Sequence, residues 1–309
     1  MRLRETWLPV LLLAGLGIAP LAGFAGSYDM TLMARMMILA MAAVSLSFLV
    51  GGAGLASLGH AASVGVGAYV VVILDAHGVT EALRVLPAAI GASAVFALLT
   101  GAIAIRTSGV HFIMITLAFG QMAFFTAASL SAYGGDDGYT LYSRTEVAGT
   151  RLLEGRLAFH YICLGALALT WAACAMLLAS RFGRVLRAAR ENAQRVEAVG
   201  FAPYPFRLVG YVIAGAFGGV AGFLLANATE FVSPAILSWQ RSGELLFMVI
   251  LGGVGRLWGA ILGALVFVLL ETWLAELTPH WKIIFGPMLV VSVLLLRGGL
   301  SSLVAPRHG

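Results

Sequence analysis

Apolar runs of about twenty residues recur along the whole chain, parted by short polar or glycine-rich stretches. A helix of about 20 apolar residues spans the roughly 30 Å hydrocarbon core of a bilayer. On this pattern the runs at 7–24, 32–50, 60–74, 85–105, 110–130, 159–179, 208–226, 242–255, 258–277 and 283–296 are expected to be membrane-embedded helices. The expected fold is an all-α polytopic membrane protein. Residues 1–309 form one transmembrane domain of about ten helical segments, some broken at glycine-rich stretches. An even count puts both termini on one side.

One stretch departs from this pattern. "RFGRVLRAARENAQRVEAVGF", residues 181–201, holds five arginines and two glutamates in 21 residues. At about 100° per residue, Arg184, Arg187, Glu191, Arg195 and Ala198 share one helical face, while Val185, Leu186, Ala189, Ala193 and Val196 gather opposite. Glu191 is spaced to pair with both Arg187 and Arg195. Gly200 is placed to end the helix, and Pro203 and Pro205 prevent its continuation. The segment 181–206 therefore reads as an amphipathic helix lying along the membrane. Its weak apolar face of valine and alanine fits a surface that another protein approaches closely. Membrane lipid is the other occupant, and the residues alone leave both readings open.

Composition supports the membrane class, with 61% hydrophobic and only 11% charged residues. The charges then set the orientation. With the N-terminus in the cytoplasm, twelve basic residues (Arg2, Arg4, Arg106, Arg181, Arg184, Arg187, Arg190, Arg195, Arg207, Arg256, Arg297, Arg307) and three acidic ones face inward, a net of +9. Seven basic and eleven acidic residues face outward, a net of −4. The basic isoelectric point thus reflects topology, not nucleic-acid binding. Residues 131–158 are expected as an extracytoplasmic loop. The first helix is expected as an uncleaved anchor, although Arg2, Arg4 and "AGFAGS" (22–27) also resemble a signal-peptide pattern. Cys163 and Cys174 stand about 16 Å apart along one expected helix, too far for a disulfide, and read as packing residues.

The chain has no GxxxxGK[ST] motif, and its one lysine, Lys282, lies in "HWKII", so it builds no P-loop of its own. Ionisable residues deep in the spans, which ion-coupled transporters use as relays, are scarce. Asp75, Arg106 and Glu244 fall near expected span ends, and Glu271 toward an outer end. Energy is therefore expected to arrive through a partner, and the arginine-rich segment is the place to receive it. Ser57, His60 and Asp137 have the residue types of a hydrolytic triad, but nothing in the sequence brings them together. The histidines and cysteines show no metal-ligand spacing, and no catalytic residue is assigned.

Glycine clusters at 51–69 and 251–264, about 200 residues apart and one in each half, are candidates for broken helices lining a path. Close helix packing is the other reading of the same glycines, and of "GAFGGVAG" at 215–222.

Five stretches in order carry a resemblance: "GLASLGHAASVGVGAY" (54–69), "GVHFIMITLAFGQM" (109–122), "GGDDGYT" (134–140), "RVLRAARENAQRVEAVGF" (184–201) and "LLFMVILGGVGRLWGAILGA" (245–264). Together they resemble the inner-membrane permeases of branched-chain amino acid ABC importers, from about residue 35 to 297. The resemblance implies a bacterial cytoplasmic-membrane permease with cytoplasmic termini. Its implied partners are a second, homologous permease, two cytoplasmic ATPase subunits and an extracytoplasmic binding protein. ATP and magnesium belong to the ATPase subunits, and this chain carries no cofactor or metal. Arg184, Arg187, Arg190, Glu191, Asn192, Arg195, Glu197, Ala198 and Gly200 match the coupling loop that sits in an ATPase cleft. Gly54, Ser57, Gly59, His60, Thr116, Gln121, Gly252, Gly253 and Gly255 become candidates for the translocation path. Asp136 and Asp137 are candidates for contact with the binding protein or a substrate ammonium, with turn formation the other reading. The implied substrate is a branched-chain or other hydrophobic amino acid. Urea, short amides and other amino acids are alternatives within the same family. An ion-coupled secondary transporter is the alternative outside it.

Overall fold

The structure, a computed structural model, describes residues 4–20, 26–147, 149–278, 280–295 and 298–304. Its helices are α1 (Arg4–Ile18), α2 (Ser27–Phe48, continued by a π-turn at Leu49–Ala53), α3 (His60–Ala76), α4 (Ala82–Ala104), α5 (Val110–Ser129) and α6 (Arg156–Ala179). The short α7 (Arg181–Glu191) and α8 (Ala193–Ala198) follow. The second half holds α9 (Pro203–Thr229), α10 (Trp239–Gly252), α11 (Leu257–Leu277), α12 (Trp281–Leu295) and α13 (Ser301–Val304). Two short strands, β1 (Tyr139–Thr140) and β2 (Phe231–Val232), pair antiparallel. The described part of each of the ten expected stretches falls largely on one of these helices. Six helices among the described residues are long and apolar enough to cross a membrane: Tyr28–Ala53, Ala82–Ala104, Val110–Ser129, Arg156–Ala179, Pro203–Thr229 and Leu257–Leu277. The stretch at 22–27 and the arginines at 2, 297 and 307 lie mostly or wholly outside the described residues.

α2 is the central helix, with 83% of its apolar window buried against 22–28% for α4, α5 and α6. Its residues explain this position. Ala34, Ala40, Ala42, Ala43, Ser45 and Ser47 are all buried and small enough for neighbouring backbones to approach. Met36, Met37 and Met41 fill the irregular gaps between them. α9 packs on α3 and α4 through its glycines. A methyl on Gly222 would overlap the Val64 carbonyl, and one on Gly219 would lie 2.7 Å from the Ala89 carbonyl. For "GAFGGVAG", close packing is the reading borne out.

The two ends of the bundle are distinct. One gathers the α7–α8 segment, the π-turn, the α4–α5 and α10–α11 connections and α13. There Arg190, Tyr204, Arg207 and Arg256 donate to the carbonyls of Gly51, Ala102, Ala189 and Ser301. The other end carries the 131–155 loop. That loop is tied down by the β1–β2 pair, by Ala82 N–H donating to Glu146 O at 2.7 Å, and by Asn227 Oδ1, which accepts from both the Thr145 N–H and hydroxyl at 2.8 Å. Arg144 clamps it further, donating to Glu230 at 2.8 Å and to Leu153 O at 2.7 Å, and stacking 4.9 Å from the centre of the Phe159 ring.

Glu244 departs from expectation. Ala61 N–H donates to Ser242 Oγ at 3.1 Å, and Leu237 packs against Gly65. These contacts set the start of α10 beside the first turns of α3, not at a bundle end. The chain after β2 dips inward through a 3₁₀ turn at Pro234–Leu237 before α10 begins. Glu244 therefore lies away from the bundle ends, just over one turn into α10, with its side chain 31% exposed.

Candidate coupling site

The arginine-rich segment is two helices, not one. Asn192 adopts an extended conformation (φ −157°, ψ 104°) and its Oδ1 accepts from Arg195 N–H at 3.0 Å, capping α8. Asparagine competes well with helix in this way, because its side chain satisfies an orphan N–H of the next turn. The break removes the expected pairing of Glu191 with Arg195, and no ion pair with Arg187 forms either. The exit is as expected. Gly200 at φ 91° closes a Schellman motif, with Phe201 N–H donating to Val196 O at 3.1 Å and Gly200 N–H to Glu197 O at 2.9 Å. Pro203 then opens α9. At the other end Ser180 Oγ caps α7 by accepting from Gly183 N–H.

The expected two-sidedness is present. Leu186, Ala189 and Val196 are buried, while Arg184, Arg187, Glu191, Asn192, Arg195, Glu197 and Ala198 are exposed. Leu186 inserts between Gly52 of the π-turn and Gly210 of α9. Arg190, itself exposed, reaches back to the break. Its Nη1 donates to Gly51 O at 2.6 Å, and its stem lies against Gly54, where a methyl would approach Arg190 Cγ to 2.8 Å. A π-turn disturbs the regular hydrogen-bond ladder and exposes carbonyls of this kind. Gly54 also has φ 72°, so glycine is required there on two counts. Arg190 thus holds the helix break while its residue as a whole stays exposed beside the outward charged face.

The outward face has shape. Arg184, Ala188, Glu191, Arg195, Val199 and Phe201 line a groove of about 390 Å³ whose charged rim surrounds an apolar floor. Val199 is 75% and Phe201 47% exposed, so the floor is uncovered in this chain. A second hollow of about 440 Å³, between α6, α7 and the α10–α11 connection, presents Arg184, Arg187 and Arg256 beside Trp171 and Trp258.

Both glycine-rich stretches break the helix, as their composition predicts. The first runs through the π-turn and an irregular 54–59. The second turns at Gly253 (φ 110°) and Gly255 (φ 94°) between α10 and α11. The two breaks touch, for a methyl on Gly51 would lie 3.0 Å from Gly255 Cα. Gly252 and Gly253 instead face Gly259 and the 298–301 turn. Ser57, Gly59, His60 and Thr116 form a packed polar cluster beneath the first break. His60 Nε2 lies 2.7 Å from Ser45 Oγ, Thr116 Oγ1 accepts from Leu58 N–H at 3.2 Å, and Ser57 Oγ accepts from Gly59 N–H at 3.2 Å. A methyl on Gly59 would overlap the Thr116 carbonyl. Gln121, half-buried on α5, joins none of these bonds. The triad residue types are not brought together, since Asp137 is exposed on the loop at the opposite end. Asp136 and Asp137 project from a turn shaped by Gly134, Gly135 and Gly138, all at positive φ. Tyr142 follows, 95% exposed, a loop residue that the sequence pattern did not single out. Cys163 and Cys174 are buried and free, and no cluster suited to a metal occurs among the described residues.

A helical bundle with apolar spans, two touching helix breaks and an amphipathic helix seated on one of them is a polytopic membrane protein of the transport class. The family profile described as branched-chain amino acid transport system / permease component matches residues 28–293. The chain belongs to that family, the permease subunits of branched-chain amino acid ABC importers. It is 26% identical over 305 residues to the high-affinity branched-chain amino acid transport system permease protein LivM of Salmonella typhimurium, covering 91% of this chain and 71% of that one. To LivM of Escherichia coli it is 25% identical over 287 residues, covering 85% and 68%. A probable branched-chain amino acid transport permease protein LivM of Methanocaldococcus jannaschii is 36% identical over 96 residues, 31% of this chain and 28% of that protein. No solved structure gives a significant match.

Proposed function

We propose that this chain is the membrane-spanning half of an ATP-driven importer of branched-chain or other hydrophobic amino acids in the bacterial cytoplasmic membrane. A second, homologous permease completes the pathway. Two ATPase subunits, which bind ATP and magnesium, dock at the α7 end, and an extracytoplasmic binding protein docks at the loop end around Asp136, Asp137 and Tyr142. The observation that carries this reading is the position of α7. One side of it is wedged against a helix break by Leu186 and Arg190, and the other offers charges that form no ion pairs among the described residues, around an apolar floor. A partner that moves α7 therefore moves the Gly51 carbonyl, and with it the junction of α2 and α3. Through Gly51 and Gly255 the same displacement reaches the α10–α11 break. Transmission of this kind needs a bistable element, and the paired glycine breaks are the candidates.

The charge bias supports a cytoplasmic α7 end. All eight of the expected inner arginines from 106 to 256 lie on segments gathered at that end. Single cysteines replacing Ser143 and Gln194, both exposed, test the orientation. An impermeant thiol reagent added to intact cells is expected to label position 143 and to reach 194 only after lysis. Labelling of 194 and not 143 in intact cells would reverse the topology and with it the ATPase assignment.

A further inference from the structure

Between α2, α3, α9 and α10 lies a cavity of about 480 Å³ that none of the sequence-predicted path residues lines. Its size falls within the roughly 300–1,000 Å³ of small-ligand pockets. Ile38, Leu39, Val64, Leu225, Leu245 and Met248 form apolar walls. Arg35, Arg241 and Glu244 supply its charges. Arg35 is committed, its Nη2 lying 3.0 Å from both oxygens of Glu271. Arg241 and Glu244 are not. They share one hydrogen bond, Nη1 to Oε2 at 2.7 Å. That bond uses one of five guanidinium donors and one of two carboxylate oxygens.

Two adjacent, half-used groups of opposite charge match a ligand with opposite charges on neighbouring atoms. The two arginines, Glu244 and Glu271 sum to zero charge, so a ligand of net charge would leave an uncompensated charge in this half-open cleft. A zwitterion would not. We infer that this cavity is an amino-acid-binding site in the permease itself, taking a zwitterionic α-amino acid with an aliphatic side chain. Its carboxylate lies on Arg241, its ammonium on Glu244, and its side chain against Ile38, Val64 and Met248. Without ligand the Arg241–Glu244 pair holds the two groups in place. With ligand the one salt bridge is exchanged for two charge-assisted contacts. The inference deepens the importer reading and rests on it for the identity of the ligand. Binding is measured on this chain alone, so failure of the site and failure of the importer assignment are seen separately.

The test uses the purified full chain in lipid nanodiscs and calorimetric titration with four probes. L-leucine carries both charges, leucinamide lacks the carboxylate, 4-methylpentanoate lacks the ammonium, and urea lacks both. L-leucine is expected to bind, and the other three to bind about tenfold more weakly or worse, the scale set by losing one charge-assisted contact. Glu244→Gln should abolish the preference for L-leucine over 4-methylpentanoate while keeping that over leucinamide. Arg241→Gln should do the reverse, and Glu244→Asp should keep both preferences. Met248→Trp, which fills the cavity, should abolish binding. Preferences unchanged in both neutralised variants would overturn the assignment, as would tighter binding of urea than of L-leucine. Absence of L-leucine binding to a folded chain whose assembled importer still takes up L-leucine would overturn it as well.

Discussion

Glu191→Lys will leave the chain inserted at normal abundance and lower ATP-driven uptake about tenfold or more. Glu191 is exposed and forms no ion pair among the described residues, so its reversal disturbs little within the fold. The new repulsion with Arg187, one turn earlier on α7, costs about 0.2–0.5 kcal/mol. Arg195 adds no helical i,i+4 term, because the Asn192 corner puts it on α8. At a buried subunit contact the same change counts for more. A charge left without its partner there costs about 2–5 kcal/mol, and about 1.4 kcal/mol is already a factor of ten. Uptake of labelled L-leucine, set against membrane abundance by immunoblot, checks the prediction. Normal uptake at normal abundance takes Glu191 off the ATPase contact.

Gly222→Leu will remove the protein from the membrane, while Gly91→Leu will not. Gly222 faces the Val64 carbonyl and Ala68 N–H of α3, and backbone atoms cannot rotate aside as a flexible side chain can. Inserting an isobutyl group forces α3 and α9 apart and disturbs their shared packing with α4. Overpacking typically costs about 1–3 kcal/mol, and more where backbone must move, a large part of a typical folding free energy of about 5–15 kcal/mol. Gly91 has open space around its missing side chain, so the same substitution serves as the control. Membrane abundance and thermal stability in detergent are the measurements. Equal abundance of the two variants would mean that α3 and α9 are not in close contact.

Much of this was legible because period and composition constrain a membrane chain strongly. The helices at 85–105, 110–130 and 258–277 were placed to within a few residues by apolar length alone. Gly200 and Pro203 marked the end of the amphipathic segment because only a few residue types terminate a helix that way. Glycine clustering announced both breaks for the same reason. What the pattern left hidden depends on three-dimensional partners. The helix periodicity of 184–198 is good enough to conceal the corner at Asn192, where a local cap outweighs one more turn. Arg190 looks like its neighbours in sequence, and its bond to the Gly51 carbonyl, 139 residues away in sequence, shows only in three dimensions. Glu244 lies within an apolar run, where nothing local shows that Pro234–Leu237 carries the start of α10 into the bundle. The cavity is built from four helices and a dipping turn, and no motif of its own spans those segments.

If the exposed face of α7 and α8 meets an ATPase subunit and not lipid, the contact can be captured covalently. A photo-crosslinking residue placed at Ala188 and at Val199, both exposed at the groove, tests it directly in membranes carrying the assembled importer. Adducts with the mass of this chain plus one ATPase subunit are expected from both positions, and none from Met176, an exposed apolar position on α6. Lipid adducts alone from positions 188 and 199, in complexes that still hydrolyse ATP, would contradict it.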